Sequence, residues 1–185
     1  MVVIIISGMP AVGKTTIARA LAREYGLTYY CGGDALKEIA LEQGFEYRGN
    51  DWWDTPEGMK FQEERRINPE FDRMVDKKLA DTSKRNNVII SSYPLPWLVD
   101  EGVKIWLKAS PETRARRMSR RDRIGLKEAV EIIRKRDMDN TQLYGNLYGI
   151  RFGEDLSVFD FMIGTDKLRT EAVIEIASTI VRQIR

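Results

Sequence analysis

The stretch from residue 8 to residue 16 constrains the fold more than any other part of this 185-residue chain. It matches every fixed position of the phosphate-binding loop G-x-x-x-x-G-K-[ST], and the apolar run of residues 2–6 directly precedes it, as a buried strand would. A strand, this loop and a helix starting near Lys14 gather backbone N–H groups and a positive helix end at one place. The sequence therefore predicts a β-loop-α unit that binds a nucleotide. The matching residues are Gly8, Met9, Pro10, Ala11, Val12, Gly13, Lys14, Thr15 and Thr16.

Residue types within the loop indicate separate roles toward ATP and Mg²⁺. Gly8 and Gly13 allow the backbone to approach phosphate closely. Lys14 is expected against the β- and γ-phosphates as a point charge, and the Thr15 hydroxyl is expected to be a magnesium ligand. Thr16 would support the loop or the α-phosphate. A chance match is the alternative, and the strand before the motif argues against it.

Length and composition favour one domain, residues 1–185, since no Gly/Ser/Pro-rich linker divides the chain. We expect a cytoplasmic protein, because no apolar stretch is long enough to span a membrane and the N-terminal run is a strand rather than a signal peptide. Cys31 is the single cysteine, which excludes an internal disulfide and a cysteine-built metal cluster. The absence of histidine removes the usual general base and every Ser-His or Cys-His nucleophile.

Strands alternate with helices along the chain, which predicts an α/β fold with a mostly parallel sheet covered on both faces. Strands are expected at residues 2–7, 27–31, 87–92, 103–107 and 159–163. Helix starts are expected near Thr15, Ala35, Thr55, Glu70, Ser110 and Thr170, with a further helix after Gly125 that ends near Met138. Ligands in such folds gather at the carboxyl ends of the strands.

Helical spacing also groups apolar side chains on one side of a helix. On the helix that begins at Glu70, one face carries Phe71, Met74, Val75 and Leu79. On the last helix, the buried set is predicted to be Val173, Ile176, Ala177, Ile180 and Ile184.

Positive charge is concentrated in residues 112–136, where ten Lys/Arg stand against four Asp/Glu although the whole chain has a net charge of +2. Arg114, Arg117 and Arg121 follow i, i+3, i+7 spacing on one side of a helix, and Arg136 is within reach on the next helix. Four converging guanidinium groups would stabilise the charge on a phosphoryl group in transfer. On the opposite side, a solvated basic face is preferred for Arg116, Arg120, Arg123 and Lys127.

The chain resembles the cytidylate kinase family, in its short archaeal form, over most of its length. The resemblance implies a five-stranded P-loop sheet with a core at residues 1–33, 86–110 and 146–185, an NMP-binding insertion at 34–85 and a mobile arginine-rich helical lid at 111–145. It is carried by Ile6 to Thr16, Gly33-Asp34, Phe71-Asp72-Arg73, Val75-Asp76, Trp106 to Ala109, Arg114, Arg117, Arg121, Arg136-Asp137, Tyr144, Tyr148 to Ile150, Asp155-Leu156-Ser157 and Asp160.

Departures from the family pattern concern the acceptor side and the lid. Lys37 stands where the family usually has an arginine that holds the monophosphate, so the bidentate fork is lost. The third strand ends in Ser91-Ser92-Tyr93 rather than Glu-Gly-Arg, and the arginine expected just before Tyr144 is absent. Residues 50–54, which include Trp52 and Trp53, have no counterpart in the pattern.

Four residues are candidates for binding the acceptor: Asp34, Lys37, Asp72 and Arg73. Asp34 either orients an acceptor group or caps a helix before Ala35. The resemblance implies that Asp72, Arg73 and Asp76 recognise the base, whereas their position alone would make them a solvent-facing charged patch. The adjacent tryptophans either stack on a base or, as is more common, pack as anchors.

The leading hypothesis is transfer of the γ-phosphoryl group of Mg-ATP to a nucleoside monophosphate, CMP or dCMP, by a monomer or homodimer. A P-loop kinase for another small acceptor is the first alternative, with Asp34 as the candidate base if that acceptor is a hydroxyl. A regulatory nucleotide-binding protein with weak catalysis is the second, and the arginine row argues against it. Neither a membrane nor a long nucleic acid is an expected partner, since the acidic remainder of the surface would repel RNA.

Overall fold

Five parallel strands form the centre of the fold, in the order β2-β3-β1-β4-β5. The structure is a computed structural model, and it describes residues 2–45 and 68–184. The continuous apolar run at the start of the chain forms the central strand. This strand is fully buried because the parallel sheet is covered on both faces. The strands are β1 (Val3–Gly8), β2 (Thr28–Cys31), β3 (Val88–Ser91), β4 (Val103–Lys108) and β5 (Phe161–Gly164).

Helices cover both faces of this sheet. In the described part of the chain they are α1 (Lys14–Tyr25), α2 (Gly32–Glu42), α3 (Glu70–Ser83), α4 (Leu95–Leu98), α5 (Pro111–Asp122), α6 (Leu126–Tyr148) and α7 (Thr170–Gln183). Successive β1 side chains point to opposite faces. Ile4 and Ile6 pack with α1 and α7, whereas Val3 and Ile5 pack with α2 and α3.

The predicted fold class is confirmed, and each expected strand in the described chain lies within two residues of its observed position. The Ser110 cap is also confirmed, since its side-chain oxygen accepts a hydrogen bond from the Thr113 backbone N–H at 3.2 Å. The end of α6 is a correction, because the helix continues beyond Met138 to Tyr148. Gly149 stops it in the left-handed conformation (φ 68°), which glycine adopts without steric cost.

Two burial predictions are wrong. Ile176 is 41% exposed, because the buried stripe of α7 runs through Val173, Ala177, Ser178 and Val181. Asp76, whose position alone indicated a solvent-facing residue, is buried. Helical spacing identifies the apolar face of a helix. It does not fix how that face is rotated toward the sheet, so residues at the edge of the face can be assigned wrongly.

The NMP-binding insertion and the lid remain predicted divisions of the chain, with α2 and α3 in the first and α5 and α6 in the second. Trp52, Trp53 and the helix start at Thr55 lie outside the described residues. Among the described helices, none combines the length and the apolar character that crossing a membrane requires.

Candidate active site

The loop between β1 and α1 has the backbone geometry of an anion cradle. Gly8 and Gly13 adopt φ values of 146° and 109°, which are unfavourable for residues that have a Cβ atom. A Cβ atom at Gly8 would lie 2.4 Å from the Leu107 carbonyl oxygen, so glycine is required there. No side chain caps the N-terminus of α1, and its first backbone N–H groups stay available for an anion.

A first cavity, of about 490 Å³, opens above this loop. Its lining combines the loop, cationic side chains and apolar residues from the chain after β5, as a nucleotide with charged phosphates and a flat base requires. The lining residues are Ala11, Val12, Gly13, Lys14, Thr15, Thr16, Ile17, Tyr93, Arg117, Met118, Arg121, Arg136, Thr165, Leu168, Thr170 and Val173.

Lys14 lies folded back on its own loop. Its ammonium donates to the carbonyl oxygens of Gly8 at 2.7 Å and Met9 at 3.2 Å, and it lies 4.1 Å from the ring centroid of Tyr93. Burial, followed by the positive charges of Arg136 and Arg114, lowers the pKa of Lys14 to about 7. A bound polyphosphate would act in the opposite direction, because an adjacent negative charge favours the protonated amine.

Three of the four predicted catalytic arginines line the first cavity. Arg117 donates to the Val12 carbonyl at 3.0 Å and to both oxygens of Thr165, so it fixes the loop to the end of β5. The guanidinium of Arg121 pairs with the Asp122 carboxylate at 2.6 Å. Arg136 donates to the Tyr93 hydroxyl at 3.2 Å.

Arg114, the fourth, does not line either cavity and departs from the expected convergence. Its side chain is 3% exposed and forms a bidentate pair with Asp137, at 2.8 and 2.7 Å. It also donates to the Pro10 carbonyl at 3.2 Å. A charge this deeply buried requires such pairing, and Arg114 thereby connects α5, α6 and the loop.

A second cavity, of about 240 Å³, lies between the loop, α2, α3 and the end of β3. The charged residues of its described lining are Lys14, Asp72 and Asp76. Asp76 accepts a hydrogen bond from the Tyr148 hydroxyl at 2.8 Å. Burial and this carboxylate raise the pKa of Tyr148, so the hydroxyl keeps its proton and donates it.

Of the predicted acceptor residues, Asp72 lines the second cavity and the other three do not. The Asp34 carboxylate accepts from the Cys31 backbone N–H at 3.0 Å. It is therefore the third residue of α2, in a capping box, and not the residue before the helix. Arg73 pairs with Glu70 at 3.2 Å on the exposed side of α3, and Lys37 lies half-buried on α2. Their roles toward an acceptor remain predictions.

Two residues at the site had no predicted role. Thr165 follows β5 and holds Arg117 through its hydroxyl and carbonyl oxygens; its position after a parallel strand was the available signal. Tyr93, identified from sequence only as a departure from the family pattern, lines both cavities.

Comparison with known proteins agrees with this geometry. Residues 4–139 match the family model described as "AAA domain". Cytidylate kinase from Pyrococcus horikoshii is 34% identical over 97% of this chain and 88% of its own length. Cytidylate kinase from Methanocaldococcus jannaschii is 31% identical over 99% of both chains.

A solved structure of shikimate kinase from Acinetobacter baumannii, in complex with shikimate, matches with a TM-score of 0.57 at 17% identity, over 100% of this chain and 95% of that one. At this identity the likeness concerns the fold. The curated relatives are closer and cover nearly the whole chain. The chain therefore belongs to the cytidylate kinase family of nucleoside-monophosphate kinases.

Proposed function

We propose that this protein transfers the γ-phosphoryl group of Mg-ATP to CMP or dCMP. The observation that carries the proposal is the meeting of the two cavities at Lys14, Thr15 and Tyr93. A donor bound in the first cavity and an acceptor bound in the second would face each other across the P-loop lysine. The names of the curated relatives support cytidine as the base.

On the donor side, the loop N–H groups and the start of α1 would bind the phosphates. Lys14 would leave the carbonyls of Gly8 and Met9 and turn its ammonium to the phosphate oxygens. Arg121 and Arg136 reach the same cavity from α5 and α6, where they would stabilise negative charge on the transferring group. Arg117 is already engaged by Val12 and Thr165, so it would hold the loop in place.

A magnesium ion fits this donor set. Among the described residues, no group of three or more acidic or cysteine side chains could hold a metal by itself. Magnesium in kinases is typically bound by few protein oxygens together with substrate phosphates and waters, and the exposed Thr15 hydroxyl in the first cavity can supply one. When bound, the ion would neutralise charge on the phosphates.

On the acceptor side, the chemistry needs no general base when the attacking atom is already a phosphate oxygen. This agrees with the absence of histidine from the chain. Asp72 and Asp76 would accept hydrogen bonds from the amino group of a base rather than contact phosphate, because carboxylates repel a phosphate group.

The test is ADP formation from Mg-ATP with CMP, dCMP, UMP, AMP and GMP offered separately. We expect turnover with CMP or dCMP that is lost in Lys14→Ala. Lys127→Ala, which changes an exposed lysine on α6, is the matched control and should keep wild-type activity. Turnover that survives Lys14→Ala, or that favours AMP or GMP, would contradict the proposal.

A different small acceptor is the second candidate. It is favoured by the described lining of the second cavity, whose charged residues are one lysine and two aspartates, with no arginine among them. An acceptor with less negative charge than a phosphomonoester would suit this lining. This candidate gains support if ATP binds normally and none of the five monophosphates is phosphorylated.

A further inference from the structure

Tyr93 lies at the junction of the two cavities. Three described residues line both cavities, namely Lys14, Thr15 and Tyr93. The first two belong to the loop and the start of α1, so Tyr93 is the residue that the opposite wall contributes. Its ring lies over the Lys14 ammonium, 4.1 Å from the centroid.

Tyr93 is held through its backbone, its ring and its hydroxyl. Its backbone carbonyl accepts from the Ser7 hydroxyl at 2.7 Å. The ring packs edge-on against Phe152, with centroids 5.9 Å apart, and against Tyr144 at 6.2 Å. Its hydroxyl accepts from Arg136. Because the ring is already restrained, little further side-chain entropy is lost at Tyr93 when substrates bind. The ring therefore keeps its position.

Two nucleophiles compete for the γ-phosphorus in a kinase. In transfer, an acceptor phosphate oxygen bonds to phosphorus while the bond from phosphorus to the β,γ-bridging oxygen breaks and ADP leaves. In hydrolysis, a water oxygen forms the new bond, the same bond breaks, and ADP, inorganic phosphate and a proton to solvent are the products. Positioning of the acceptor and exclusion of water separate the two outcomes.

We propose that Tyr93 is the partition that makes this enzyme select a phosphate acceptor over water. The ring covers the Lys14 ammonium from one side at the junction of the cavities and takes up space that water would otherwise fill there, while the acceptor reaches the γ-phosphate from the second cavity. Removing the ring would open far more than the roughly 10–15 Å³ that one water needs, next to polar groups that can bind it. Tyr93 is a positioning residue in this proposal, which rests on the proposed kinase function.

The experiment compares Tyr93→Ala with Tyr93→Phe and the wild-type enzyme. ADP and the phosphorylated acceptor are both quantified with Mg-ATP and CMP, and inorganic phosphate is quantified with Mg-ATP alone. In Tyr93→Ala, we expect hydrolysis per transfer to rise at least about tenfold, a change of about 1.4 kcal/mol in relative activation free energy. Tyr93→Phe keeps the ring and should keep the wild-type ratio, although it loses the Arg136 hydrogen bond.

A proportional loss of transfer and hydrolysis in Tyr93→Ala would overturn the proposal, because a structural role lowers both together. A raised ratio in Tyr93→Phe would also overturn it, since the hydroxyl rather than the ring would then matter. If Tyr93→Ala does not fold, Tyr93→Leu keeps apolar packing against Phe152 but lacks the flat ring, and the same ratio is measured. The hydrolysis assay contains no acceptor and therefore does not depend on CMP being the substrate. Failure of the proposed function is recognised separately, because the wild-type enzyme would then phosphorylate no monophosphate.

Discussion

Binding of the nucleotide donor should be coupled to uptake of a proton by Lys14. In the free protein, burial and the neighbouring arginines lower the pKa of Lys14 to about 7. The amine is therefore charged below this pH and neutral above it. Bound phosphates restore the charged form, because opposite charges raise the pKa of an amine. Above the free-protein value, binding must bring in the proton that the lysine lacks.

The magnitude follows from the free-protein pKa. At about pH 8, one unit above it, roughly 0.1 of the free molecules carry the proton, so binding should take up about 0.9 proton. At about pH 6 most molecules are already protonated, and uptake should fall to about 0.1. The apparent donor affinity should fall by up to tenfold per pH unit above about 7, which is about 1.4 kcal/mol per unit.

Isothermal titration calorimetry measures this uptake directly. A non-hydrolysable Mg-ATP analogue is titrated without acceptor in two buffers of different ionisation enthalpy, at both pH values, and the difference in heat gives the protons bound. Lys14→Arg is the matched control, since a guanidinium stays charged throughout this range and should show no uptake at either pH. Uptake of less than about 0.2 proton by the wild-type protein at about pH 8 would refute the argument, because Lys14 would then be charged before the nucleotide arrives.

Three further outcomes are expected. Arg114→Ala should destabilise the protein by about 3–5 kcal/mol, because it leaves Asp137 without its bidentate partner; thermal unfolding should show a drop of roughly 6–20 °C, and an unchanged midpoint would contradict the structural role. Tyr148→Phe removes the hydroxyl that donates to Asp76 and should raise the acceptor KM severalfold at unchanged donor affinity; steady-state kinetics with each substrate varied tests this, and equal effects on both would refute it. Gly8→Ala should weaken donor binding at least about tenfold, since the new Cβ would meet a β4 carbonyl oxygen at 2.4 Å; wild-type affinity in calorimetry would show that the loop adapts.

Local sequence information predicted the strands and the loop because both depend on near neighbours. The run from Val3 to Ile6 is β-branched throughout, and such a run is typical of a parallel strand that is buried on both faces. Likewise, Ser110 followed by Pro111 specifies a helix start through its own hydrogen bonds. These elements needed no knowledge of distant residues.

The arrangement of the site required contacts between distant residues. Helical spacing placed Arg114 and Arg117 on one side of a helix, but Asp137, which comes from a different helix, holds Arg114 behind the loop. Asp34 lies after β2 as expected, yet α2 begins at Gly32, so its carboxylate closes a turn instead of reaching the cavity. A partner on another helix decides the outcome for Arg114, and the exact start of α2 decides it for Asp34; spacing along the sequence specifies neither.

Helix α6 is long and is packed along both of its halves. Its 23 residues span about 34 Å. In the first half Ala129 and Ile133 are buried against α5, and near the C-terminal end Tyr144 is buried among aromatic rings. The same helix contributes Arg136 to the first cavity and Tyr144 to the second. Because an α-helix is a rigid element that carries displacements along its length, α6 connects the two cavities mechanically, and a shift of its packing on α5 would be felt at both.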